Sequence, residues 1–213
     1  MTATEWWGRV GYPEAHRRMR LKVADRRQGR IPDTLLLVEH PAVVTVGVEG
    51  DDGSAAASGL PVVPVERGGK ATYHGPGQLV GYAIVDLGAR GHDVRAFVRD
   101  LESVVVRTLA AFGLRGEHVR GRPGVWIVGE RKIASLGVAV EHWVTFHGFA
   151  LNVDVELDAF ARIHPCGFDG RIMTSMAREL GRPIGLDEVL PAAIGAWQAV
   201  FAEPRTAAAP AGP

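Results

Sequence analysis

The chain has 213 residues with 24 basic and 24 acidic side chains, enough for one substantial domain, and carries no net charge that would select nucleic acid or a membrane surface. Its single cysteine excludes an internal disulfide and suits a reducing compartment. The amino terminus shows neither the basic nor the apolar segment of a secretory signal, and no run approaches the roughly 18 apolar residues of a membrane span, so a soluble, cytoplasmic protein is expected.

In chain order, Pro13–Gln28 reads as a helix, with Pro at a permitted first position, Gly29 as the stop, and Ala15, Met19, Val23 and Ala24 as an apolar stripe. Arg17, Arg18, Arg20, Lys22, Arg26 and Arg27 fall largely off that stripe, as a solvated face or a dock for an acidic partner. Thr34–Glu39 and Ala42–Val46 are short strands divided by Pro41, and Pro61–Glu66 is a third. Glu49–Leu60 between them is a Gly/Ser/Ala loop, expected to be mobile. Arg67–Gln78 (RGGKATYHGPGQ) places two glycine clusters in a loop whose backbone N–H groups can come close to a ligand. It lacks the spacing of a P-loop, and a strand, Leu79–Asp86, follows it where a dinucleotide fingerprint would open a helix. Taken alone, such a loop is more often just an awkward turn.

Asp93–Phe112 is the clearest helix, capped by Asp93, ended by Gly113, with Val94, Phe97, Val98, Leu101, Val104, Val105, Leu109 and Phe112 as a core stripe. Gly124–Val128 is a strand. Residues 132–140 and 144–153 form two neighbouring strands joined by a short turn, followed by a helical turn that stops at Pro165. Alternation in the second puts Thr145, His147, Phe149, Leu151 and Val153 on one face, and Phe146, Gly148, Ala150 and Asn152 on the other, where small residues clear a groove for a ligand. Met173–Leu180 is a short helix stopped by Gly181, and a last amphipathic helix starts near Pro191 with Ile194, Trp197, Val200 and Phe201 inward. Residues 1–204 are expected to form one domain and 205–213 a disordered tail.

Six stretches, EHPAVVTVG (Glu39–Gly47), RGGKATYHGPGQ (Arg67–Gln78), GVWI (Gly124–Ile127), KIASLGV (Lys132–Val138), HGFALNV (His147–Val153) and PCG (Pro165–Gly167), together resemble the lipoyl(octanoyl) transferase family, in its order and over most of residues 10–200. The resemblance implies an α+β fold of the biotin/lipoate protein ligase type, a mixed, largely antiparallel sheet flanked by helices. It implies a cofactor-free monomer that moves an octanoyl group from octanoyl-acyl carrier protein to a lysine of lipoyl domains, those of 2-oxo acid dehydrogenases and the glycine cleavage H protein. Cys166 matches the family's nucleophile and Lys132 its activating lysine. Arg67, Gly68, Gly69, Lys70, Ala71, Thr72, Tyr73, His74, Ser135, Leu136, Gly137, Gly148, Phe149 and Ala150 match its substrate-binding positions. Val44 stands where the family usually carries an aromatic, which would reshape the acyl pocket, and His164 receives no role.

A thioester donor and an amine acceptor are well served by a thiol, which exchanges acyl groups readily and leaves again. Only the thiolate attacks, and about 3% of a free thiol with pKa near 8.5 is ionised at pH 7. A neighbouring lysine raises that fraction as an ammonium, or takes the proton if desolvated and neutral. Lysine is scarce here, at Lys22, Lys70 and Lys132 only, in a chain that otherwise uses arginine for positive charge. Outside the resemblance, Cys166 reads more often as inert core than as a nucleophile, and Lys132 as an exposed strand end. Strand parity would place Lys132 on the apolar face of Ala134, Leu136, Val138 and Val140. His74 and His147 are pocket residues, as proton shuttles or as ordinary hydrogen-bonding groups. No metal site is expected, because one cysteine and eight scattered histidines give no ligand cluster. The competing readings are an ATP-dependent lipoate-protein ligase of the same fold, a cysteine thioesterase and a non-catalytic acyl-binding module.

Overall fold

A central strand that is apolar on both faces needs cover on both sides, and β10 (Val144–Asn152), buried along its whole length, is that strand. The computed structural model describes residues 2–128, 130–163 and 170–202. Before β10 in chain order come β1 (Ala3–Arg9), α1 (Tyr12–Arg27), β2 (Thr34–Glu39), β3 (Val43–Val46), α2 (Ser54–Ala57), β4 (Val62–Pro64), β5 (Ala71–His74), β6 (Gln78–Ile84), α3 (Val94–Ala110), β7 (Gly116–Val119), β8 (Arg122–Ile127) and β9 (Arg131–Glu141). After it come α4 (Met176–Leu180) and α5 (Leu186–Phe201). The seven-stranded sheet has the order β1-β2-β6-β10-β9-β8-β7, and β4-β3-β5 form a second, three-stranded sheet. Within the larger sheet only β1 and β2 run parallel.

Each face of the large sheet has its own core. Phe149, Leu151 and Val153 turn toward the stripe of α3 (Phe97, Leu101, Val104, Val105, Leu109) and toward Val189, Trp197 and Phe201 of α5. Phe146 and Ala150 turn the other way, to Ala15, Met19 and Val23 of α1. A third cluster sits on the small sheet, where Val44, Ala71 and Tyr73 meet Phe160, Ile163 and Met173. Val44 is therefore a buried member of that core.

The predicted helices are present, with local differences. Asp93 caps α3 by accepting from the Ala96 N–H at 2.8 Å. The last helix begins five residues before Pro191, which lies inside it. Glu188 fixes this earlier start by accepting from the Gly185 N–H, while its own N–H donates to the Gly185 carbonyl. The loop 49–60 contains α2, nucleated where Asp51 accepts from the N–H groups of Gly53 and Ala55. β1 and β7, not expected from the sequence, form the two edges of the sheet.

The basic face of α1 is matched by carboxylates. Glu14 pairs with Arg17 and Arg18, Glu141 with Arg20 and Arg27, Glu5 with Lys22, and Asp33 with Arg26. Apart from the largely buried Arg26–Asp33 pair, these partly exposed pairs contribute little each, but together they neutralise the face and weaken its reading as a dock for an acidic partner.

The sheet depends on close backbone approach at Gly148, where an added Cβ would stand 2.3 Å from the Gly81 carbonyl oxygen. Because that atom is backbone in a central strand, Gly148→Ala is expected to destabilise by about 1–3 kcal/mol, read as a fall of several degrees in Tm. An unchanged Tm would show that β6 and β10 are not held at this spacing.

Candidate active site

The position of Lys132 comes from one extra residue. β8 and β9 pair regularly at Val125–Ala134, but the next β8 residue, Trp126, pairs with Lys132. Ile133 is thus a bulge, and it and Ala134 both turn into the α3/α5 core. Lys132 is reversed relative to simple alternation: it points with Trp126, on the face shared by Ser135, Gly137 and Ala139, and not with Ala134, Leu136, Val138 and Val140. Its side chain is buried, 2% exposed, lying 5.6 Å from the Trp126 ring centre and across Gly124, where a Cβ would meet its Cε at 2.7 Å. The Lys132 carbonyl accepts from the Thr174 N–H at 2.9 Å, and Met173 bridges to the same residue.

On the same face of the sheet, the small sheet closes a pocket against β9 and β10. The pocket brings together nine of the predicted positions, Arg67, Thr72, His74, Ser135, Leu136, Gly137, Gly148, Phe149 and Ala150. Gly68, Gly69, Lys70, Ala71 and Tyr73 do not line it. The reason is that 71–74 is a strand rather than loop, so Thr72 and His74 face the pocket while Ala71 and Tyr73 face the third core cluster. The pocket also takes His147, expected there, and Tyr12, Val80 and Tyr82, for which no pocket role was expected.

Arg67 ties the pocket's two walls together. Its guanidinium donates to the carbonyls of Gly68, Lys70 and Thr45 and to Thr45 Oγ1, at 2.8–3.1 Å. The Gly68 N–H donates to the Val138 carbonyl at 3.0 Å, fixing this loop to β9. Among the described residues, the buried side-chain polar atoms without a hydrogen-bond partner are Thr72 Oγ1, Ser135 Oγ, His147 Nε2 and Trp197 Nε1. Three of these four belong to pocket residues, so the polar groups left open are concentrated where a ligand would satisfy them.

The histidines divide by their partners. His40 Nδ1 lies 2.7 Å from the Val10 carbonyl, which can only accept, so Nδ1 carries the proton and Nε2 accepts from the Tyr82 hydroxyl at 2.7 Å. The Gln78 amide nitrogen donates to Tyr73 and Asn152, leaving its oxygen to accept from His74 Nδ1 at 2.7 Å. Asn152 in turn donates to the Thr174 carbonyl, so a continuous chain runs from His74 to the backbone that holds Lys132. Burial pulls the His74 imidazole down to about 3, with His40 adding to the effect. Its Nε2 lies 3.3 Å from Thr45 Oγ1, so both ring nitrogens have partners in the protein.

His147 departs from the expected alternation. Its φ is +58°, its N–H points to Met19 Sδ, and its ring sits among His16, Tyr82 and Phe146 on the α1 side, away from Phe149 and Leu151. Cys166, His164 and the rest of 164–169 lie outside the described residues.

The layers and the pocket define an α+β protein of the lipoate-ligase type. A putative lipoate protein ligase from T. acidophilum, solved with bound lipoic acid, superposes with a TM-score of 0.73 at 17% identity, over 94% of this chain and 86% of its own. Residues 12–198 match the lipoyl protein ligase A/B catalytic domain, and the chain belongs to that family. Its curated relatives include the octanoyltransferase of Geobacter sulfurreducens, 48% identical over 83% of this chain and 75% of the relative. The octanoyltransferase of Chloroflexus aurantiacus is 46% identical over 94% of this chain and 95% of the relative.

The buried histidines make stability depend on pH. An unfolded imidazole titrates near 6.5, whereas folded His74 does so at about 3 and burial also lowers His40. The unfolded chain therefore binds these protons first. Their stabilising contribution is complete above roughly pH 6.5 and is lost as the pH falls toward 3. At pH 5 the loss from His74 alone is on the order of 2 kcal/mol. Thermal melts should show Tm falling between pH 7 and pH 5; a flat profile over that interval would contradict the assignment.

Proposed function

We propose that this chain is a cytoplasmic octanoyltransferase that acts as a monomer through a Cys166 thioester, with residues 1–204 as its single domain. The donor is octanoyl-acyl carrier protein. The acceptors are the lipoyl domains of 2-oxo acid dehydrogenases and the glycine cleavage H protein. The observation that carries the mechanism is the buried amine of Lys132, turned by the bulge onto the pocket face. Met173, seven residues after Cys166 in the sequence, pairs with Lys132, which supports an encounter between the two. Among the described residues no helix is long and apolar enough to cross a membrane.

Lys132 receives the thiol proton, and the Cys166 sulfur attacks the thioester carbonyl of the donor. A tetrahedral oxyanion forms and collapses by breaking the bond to the carrier's sulfur, which leaves as a thiol with the proton held by Lys132. The octanoyl chain occupies the pocket, where the hydroxyls of Thr72 and Ser135 have unused hydrogen-bonding capacity. In the second half-reaction the acceptor's neutral lysine amine attacks the acyl-enzyme carbonyl. The C–S bond breaks, an amide forms, and the proton lost by the amine returns to the Cys166–Lys132 pair. The two groups titrate together, so the proton belongs to the pair.

Incubation with octanoyl-acyl carrier protein should add one octanoyl mass to the chain, removable by hydroxylamine and absent in Cys166→Ala. Lys132→Arg keeps the charge but not the proton acceptor, and should slow transfer by roughly 10²–10⁴-fold. A hydroxylamine-stable adduct, near-normal transfer in either variant, or transfer only from free octanoate with ATP would each count against this reading.

A further inference from the structure

His16 on α1, Glu66 just beyond β4 and His147 in β10 are far apart in sequence. Contrary to the expectation that the scattered histidines form no ligand cluster, the fold brings their ligating atoms within 4.8 Å of one another. His16 Nε2 is 2.9 Å from Glu66 Oε2, and His147 Nε2 is 3.5 Å from the same oxygen. The positive φ of His147 makes this possible, since regular alternation would send its ring to the α3/α5 side. The two imidazole rings lie 5.9 Å apart. His147 Nε2 has no hydrogen-bond partner, although its side chain is only 3% exposed. A buried nitrogen without a hydrogen bond, 3.5 Å from a carboxylate oxygen, has a lone pair that a cation shared with that oxygen would satisfy.

We propose that His16, Glu66 and His147 form a binding site for one divalent transition-metal ion of the zinc class at the mouth of the pocket. Zinc bonds of about 2.0–2.2 Å to nitrogen and oxygen place tetrahedral ligands roughly 3.3–3.5 Å apart. The two observed separations bracket that spacing, and small rotations of the exposed partners close the third. Two imidazoles with a single carboxylate favour zinc, cobalt, nickel or copper over magnesium or calcium, which take mostly oxygen ligands. Glu66 is 47% exposed and His16 28% exposed, so an ion can enter from solvent, with water completing its coordination. Arg67 is the cation facing this cluster from the pocket side, and its charge opposes the ion. It therefore makes the site exchangeable rather than a permanent structural centre.

The test uses the full chain freed of metal, with Zn²⁺ alone as the probe, in calorimetric titration. One ion should bind per chain in the parent and in Cys166→Ser. His16→Ala and Glu66→Gln, both at partly exposed positions, should each weaken binding at least tenfold, with thermal melts showing that both variants remain folded. Absence of binding in the parent would overturn the proposal. So would loss of binding in Cys166→Ser, which would assign the ion to the thiol, or undiminished binding in both His16→Ala and Glu66→Gln.

Discussion

The site depends on a single surplus residue in β9. Because Ile133 is inserted against β8, two consecutive side chains enter the α3/α5 core and Lys132 is released to the opposite face. Without the bulge, Lys132 would point into that core. A lysine buried there without a partner would be costly. The bulge is held from outside the two strands. Thr174 donates to the Lys132 carbonyl, Asn152 fixes Thr174, and Gln78 and His74 complete the line back to the pocket wall. Gly124 leaves the space the lysine stem crosses.

The pocket is a product of close approach between two sheets. An added Cβ at Gly47 would come 2.3 Å from the Gly69 carbonyl oxygen, and one at Gly137 would meet both Arg67 Cδ and the Gly68 oxygen at 3.0 Å. These glycines let the 67–70 segment lie on β9, and Arg67 then locks it by donating to several carbonyls. The result is a wall rigid in its backbone, with the hydroxyls of Thr72 and Ser135 left for something else to satisfy. That combination suits recognition of a long apolar chain with a polar head.

Much of this was legible in the sequence. Periodicity located α1, α3, β9 and β10, and the small residues Gly148 and Ala150 marked the cleared groove. The parts that were hidden are relations between segments. No local pattern around Lys132 announces a bulge, because a bulge is a mismatch between β8 and β9. His147 reads as an ordinary alternating strand residue until its φ is known. Thr72 and His74 were found, but their separation from Ala71 and Tyr73 requires knowing that 71–74 pairs with β3. Tyr12 and Tyr82 occupy core-like positions and become pocket residues only when α1 is laid over β6. Pro191 signalled a helix start because its missing N–H is harmless there, whereas the Gly185–Glu188 cap places the start one turn earlier.

The central claim is that the amine of Lys132 makes the sulfur of Cys166 nucleophilic, and the rate of Cys166 alkylation by iodoacetamide as a function of pH tests it most directly. The account predicts reaction governed by a pKa well below the ordinary thiol value near 8.5 in the intact chain, returning toward that value in Lys132→Met. The same profile in both proteins would contradict it.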